Sequence, residues 1–171
     1  MYKQLIFCVE ADEKSRTDWV YINDTIKKYY QEDNEIKYTP IFMGAKMNYD
    51  SRRVIGKVNK SIKEYTHGSS FVFYCIDVDS FESNPTHIRE FEVIENYCKV
   101  NGYNLIWFCH DIEDVYLNKR VHNKEKSTVV KTFRSRNLID SIDEKKLMSE
   151  NNHRIHSSNI LSMLDDYIDR K

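Results

Sequence analysis

Glycine and proline are scarce, at 4 and 2 of 171 residues, which excludes collagen-like and proline-rich linker structure. No apolar run approaches the roughly 20 residues that a membrane-spanning helix needs. The opening apolar run stops at Glu10, too short and wrongly flanked for a secretory signal, so a cytoplasmic location is the expectation. Charge of either sign is hardly in excess: 26 basic and 27 acidic residues leave a net charge of -1, which selects no partner for the chain as a whole. The cysteines number only 4, with no CxxC or Cys/His spacing of a zinc site. Three of them lie inside apolar runs, and all four read as reduced and structural.

What is present is a core. With 40% hydrophobic and 13% aromatic residues, the chain can bury enough surface to fold as one domain over residues 1–171. Leu5-Ile6-Phe7-Cys8-Val9 has the unbroken apolar pattern of a strand buried on both faces. Ser15-Arg16-Thr17-Asp18 resembles a capping box, and Trp19, Ile22, Ile26 and Tyr29 or Tyr30 recur at helical spacing behind it. Tyr38 to Met43 reads as a second strand, pushed towards a sheet edge by Pro40. A second helix takes Val54, Ile55, Val58, Ile62 and Tyr65 as its apolar face. Phe71 to Ile76 is the strongest strand signal. Asn84-Pro85 opens a third helix that Gly102 ends, and Tyr103 to Phe108 makes a fourth strand.

This βαβαβαβ order predicts an α/β fold, a mostly parallel sheet flanked by helices in a Rossmann-like three-layer arrangement. The core spans residues 3–117. Residues 118–171 read as a basic connection followed by a C-terminal helical segment, with a last helix over Asn159 to Ile168 that docks on the sheet.

In open α/β sheets, ligands bind beyond the carboxyl ends of the strands, where the strand order reverses. Three of the four expected strands deliver carboxylates there: Glu10, then Asp77 and Asp79, then Asp111 and Glu113. Two residues apart on an extended backbone, Asp77 and Asp79 are expected to share a face, roughly 7 Å apart. Clustered carboxylates raise one another's pKa, and a divalent cation removes the conflict. All-oxygen ligation suits Mg2+ or Mn2+ rather than zinc. Such ions can activate water and stabilise the leaving oxygen in phosphodiester cleavage, provided that Glu10 stands within about 12 Å of Asp77 and Asp79. Each carboxylate taken alone reads better as a cap of the next helix; Glu10 with Asp77 and Asp79 together read as a site.

Two basic runs hide in the neutral average. Residues 46–63 hold six basic residues against one Asp, and residues 119–136 hold seven against one Glu. Lys46, Lys119, Arg120 and Lys131 are the candidates for holding phosphate; as ordinary solvated charges they need no ligand. His110 is a candidate acid or base by its place beside the acidic residues, or else a loop residue.

A Glu closing the first strand and an Asp-x-Asp closing the third resemble the Toprim domain of topoisomerases, primases, small ribonucleases and OLD-family nucleases. The resemblance covers about residues 3–113, with Ala11 where Toprim proteins commonly have Gly. The segment from Leu105 to Leu117 is similar to the strand-then-Glu segment of small RloB-like and OLD-related Toprim proteins. The resemblance implies a metal-dependent nuclease acting on DNA or RNA, with phage defence as its setting. It implies Glu10, Asp77, Asp79 and Glu113 as catalytic and metal-binding residues. It also implies an ATPase partner on another chain, since no GxxxxGKT/S loop is present here. The alternatives are a non-catalytic Toprim-like partner or binding subunit and, last, a receiver-like phosphoacceptor using Asp77, for which no fifth strand ending in Lys is visible.

Overall fold

The computed structural model describes residues 2–171. The chain begins β1 (Lys3–Val9), α1 (Thr17–Tyr29), β2 (Ile36–Phe42), α2 (Arg52–Glu64), β3 (Ser69–Asp77), α3 (Pro85–Asn101) and β4 (Asn104–Cys109). It continues with α4 (Ile112–Leu117), α5 (Lys126–Ser135), β5 (Ser157–Ser158) and α6 (Ile160–Leu164). The five-stranded sheet has the order β2-β1-β3-β4-β5, parallel throughout except for β5. Helices cover both faces, so the fold is the mostly parallel, three-layer α/β arrangement expected.

Alternation along each strand decides which helices pack where. Leu5, Phe7 and Val9 of β1, with Phe73 and Cys75 of β3, face α1, α4, α5 and α6. Ile6 and Cys8, with Val72, Tyr74 and Ile76, face α2 and α3. The C-terminal segment shares the first of these cores: Val130, Phe133, Leu147, Leu161 and Leu164 are buried in the same cluster as β1. No helix of the described residues is long and apolar enough to cross a membrane.

Local chemistry accounts for the element boundaries. The Asn84 side chain accepts the N–H of Thr86, Pro85 takes the first helical position, and Gly102 ends α3 at φ 68, where a residue without Cβ is least strained. Gly68 starts β3 against Tyr2, whose carbonyl oxygen would stand 1.8 Å from a Cβ there. Pro40 lies on β2, and β2 is indeed an edge strand.

Four expectations are corrected. Ser15 does not cap α1: the helix starts after Arg16, at φ 52, and the Asp18 carboxylate turns back to the N–H of Ala11. On α2 only Val54 and Val58 are buried, while Ile62 is exposed, because the helix meets the sheet along a narrow seam. The basic stretch 119–136 is not a plain connection, since α5 occupies ten of its residues. The last helix is shorter than expected, running only over Ile160–Leu164.

Candidate functional site

The sheet order reverses between β1 and β3. The chain leaves β1 towards β2 on one side and returns through α2 to lay β3 on the other, so the loops after β1 and β3 part and leave a crevice. A cleft of about 430 Å³ opens there, bordered by Glu10, Asp18, Asp77 and Lys126 together with Ala11, Asp12, Gly44 and Ala45 of the neighbouring loops.

At its floor Glu10 and Asp77 touch. Oε1 of Glu10 accepts the backbone N–H of Asp77 at 2.7 Å, and Oδ1 of Asp77 accepts the N–H of Ile112 at 3.0 Å, at the start of α4. Each carboxylate therefore has one oxygen engaged by backbone and another free of hydrogen-bonded protein partners among the described residues. Both side chains are half-buried, tightly enclosed by protein but open on the cleft side.

Burial is the main reason that Glu10 titrates high, up to about 8; the Asp77 N–H works against it, and the charges of Asp18 and Asp79 add to it. Asp77 stands well above the ordinary carboxylate range, first through burial and then through repulsion from Glu10, Asp18, Asp111 and Glu113. Asp18 and Asp111 are also raised by burial. Like charges this close share protons unless a cation intervenes.

Lys126 supplies one such charge. Its ammonium lies 2.9 Å from Oε2 of Glu113, a fully buried residue neither of whose oxygens has a hydrogen-bond partner of good geometry among the described residues. Burial lifts Glu113 to about 6, with Lys126 holding it from rising further. Burial alone would lower the Lys126 pKa, but Glu113, Asp77 and Asp18 outweigh it and raise it.

Asp79 goes elsewhere. The strand ends at Asp77, and Asp79 adopts the left-handed backbone at φ 62, so alternation stops and the expected shared face is lost. The Asp79 carboxylate pairs instead with the ammonium of Lys46, which also lies 3.3 Å from Glu90 on α3. Ligand atoms of Asp79, His87 and Glu90 all lie within 4.8 Å of one another, so this group can hold a metal ion. The Glu10 and Asp79 groups meet electrostatically at Lys46: burial would depress its pKa, but Asp79, Glu10 and Glu90 together raise it.

The basic candidates separate. Lys46 is 8% exposed and held in ion pairs, not a free surface charge. Lys119 and Lys131 are exposed. Arg120 is exposed too, donating to Ser80 Oγ at 2.5 Å and reaching to 3.4 Å from His110 Nδ1. His110 itself is held by Glu82, at 2.9 Å from Nε2. Asp111 caps α4, accepting the N–H of Asp114 at 2.8 Å, which is the capping role open to any carboxylate after a strand.

Sequence reasoning missed Asp18, read as a cap, and Lys126, submerged in a basic run. It also missed His87 and Glu90, whose spacing of three residues puts both on one side of α3 and was visible in the sequence. No family model, curated protein or solved structure matches the chain.

Proposed function

We propose that this chain is a divalent-metal-dependent nucleic-acid phosphodiesterase of Toprim type, a nuclease acting on DNA or RNA, with phage defence as its setting. The observation that carries the reading is the contact between Glu10 and Asp77 at the point where strand order reverses, each with one oxygen open to the cleft. The donor set fits a hard cation: carboxylate oxygens only, kept from full ionisation first by burial and then by their own proximity. Glu10 and Asp77 would hold Mg2+ or Mn2+, with Asp79 across Lys46 and Glu113 behind Lys126 completing the acidic set.

When bound, the ion supplies electrophilic stabilisation to a scissile phosphate and makes water a competent nucleophile near neutral pH. The chain's own groups supply the rest. Glu10 would either ligate the ion or, with Asp77 holding it, take a proton from the attacking water. Lys126, on the cleft wall, carries positive charge next to where the phosphate must lie. Exposed Lys119, Arg120 and Lys131 hold the flanking backbone of the nucleic acid. ATP hydrolysis belongs to a partner chain.

One observation favours a second reading, a non-catalytic partner or binding subunit. Lys126 and Lys46 neutralise Glu113 and Asp79 without any metal. A Mn2+ titration and a cleavage assay on single- and double-stranded DNA and RNA separate the two. The nuclease reading expects Mn2+-dependent cleavage and one bound Mn2+ that are both lost in Glu10→Gln and Asp77→Asn, whatever other Mn2+ the chain holds. Metal-independent binding of nucleic acid, without cleavage, establishes the binding subunit instead.

A further inference from the structure

Around Lys46 lies a second set of ligands, of which the nuclease reading uses only Asp79. His87 and Glu90 stand three residues apart in the first turns of α3, a helix of 17 residues whose start is fixed by Asn84 and Pro85. Asp79 faces them from the left-handed turn that ends β3. One imidazole nitrogen and two carboxylates form a mixed N/O set, which suits a first-row divalent ion better than Mg2+ and leaves further coordination positions to water.

Two features mark this as a place built for positive charge rather than an accidental acidic patch. Lys46 is nine-tenths buried and lodges its ammonium between Asp79 and Glu90, and it also stands 3.4 Å from the Asp77 carbonyl oxygen. Among the described residues Nδ1 of His87 is enclosed by protein and has no hydrogen-bond partner, while Nε2 accepts from the Asn84 amide at 3.2 Å, which leaves the ring proton on Nδ1. A buried N–H without a partner is costly, and a metal ion that takes one ring nitrogen relieves it, with the Asn84 contact given up.

We infer that Asp79, His87 and Glu90 form a binding site for a first-row divalent ion, and that the Lys46 ammonium is the internal cation which this ion displaces. The two charges compete for the same carboxylates, so metal entry releases Lys46. Lys46 belongs to the short 3-10 turn Lys46–Asn48, next to Gly44 and Ala45 on the cleft edge, and once released its ammonium is free to meet an anionic ligand there. The inference goes beyond the nuclease reading and does not depend on it.

The test uses the whole chain and Co2+ as a spectroscopic probe, followed by Mn2+ and Zn2+ calorimetry, with melting curves to verify folding. The wild type is expected to bind Co2+ with a visible absorption spectrum that His87→Ala abolishes, weakening affinity roughly 10- to 100-fold. Glu90→Gln, a near-isosteric change, is expected to weaken it similarly and keeps the test decisive should His87→Ala unfold. Lys46→Met removes the competitor and is expected to tighten binding roughly tenfold. The losses caused by His87→Ala and Glu90→Gln are expected to persist in a Glu10→Gln background, which separates this site from the Glu10–Asp77 pair. A Co2+ spectrum and affinity indifferent to both His87→Ala and Glu90→Gln overturns the metal site. Weaker binding in Lys46→Met overturns the exchange.

Discussion

The ammonium of Lys126 on α5 lies 2.9 Å from Glu113 on α4, and it is the sole ion-pair partner of that buried carboxylate among the described residues. Removing the cation while leaving the carboxylate strands a charge in a low-dielectric setting. Lys126→Met is expected to cost about 3–5 kcal/mol in urea unfolding at pH 8, and adding Glu113→Gln to recover much of it. Because Glu113 already titrates at about 6, the loss is expected to shrink at pH 5, where the carboxylate is protonated.

Proton linkage at Glu10 has a defined sign. The folded protein holds its proton up to about 8, whereas the unfolded chain releases it near 4.5, so between these values the folded state binds more protons. Stability without metal is therefore expected to fall as pH rises through that window, and Glu10→Gln to flatten the slope. Mn2+ needs the ionised carboxylate, so its affinity is expected to rise with pH up to about 8 in wild type, as read by calorimetry at pH 6, 7 and 8.5.

Leu161 on α6 is fully buried against the sheet core. Leu161→Ala is expected to cost about 2–5 kcal/mol while the protein still unfolds in a single transition. Two transitions in the wild type, followed by circular dichroism and tryptophan fluorescence, would show that residues 118–171 fold apart from the sheet.

Nucleic-acid affinity is expected to fall with salt, and Lys119→Ala and Lys131→Ala each to reduce the slope of log affinity against log salt by about 1, for every sequence tested. Fluorescence anisotropy across a salt series reads this out. Slopes unchanged by both substitutions would remove these lysines from the interface.

The sheet was legible because its signals are local. Unbroken apolar runs at residues 5–9 and 71–76, with Asn84-Pro85 and Gly102 around a helical period, fix strands and helices without reference to anything distant. Pro40 was informative for the same reason. The acidic candidates were legible as strand-end residues, yet their orientation was not. A period of two places Asp79 beside Asp77 only while the strand continues, and the left-handed turn at Asp79 is held by distant backbone, Val78 N–H to the Phe108 carbonyl on β4 at 2.9 Å and Asp79 N–H to the His110 carbonyl just after it at 2.7 Å. Lys46 and Lys126 look like surface charges in sequence, because nothing nearby in the chain reveals that Asp79 and Glu113 will enclose them. The region beyond residue 118 was least legible: its two 3-10 turns and two-residue β5 carry too few residues for a period to show.

The placement of Pro40 also bears on how the molecule behaves in company. A parallel sheet with a free border presents a row of unsatisfied donors and acceptors to any neighbouring chain. On β2 that row is broken in its middle by a residue with no hydrogen to give, and charged Lys37 stands exposed nearby. The border is thereby a poor template for ribbon-like stacking, and the molecule can keep its long apolar strands without inviting a second copy to extend them.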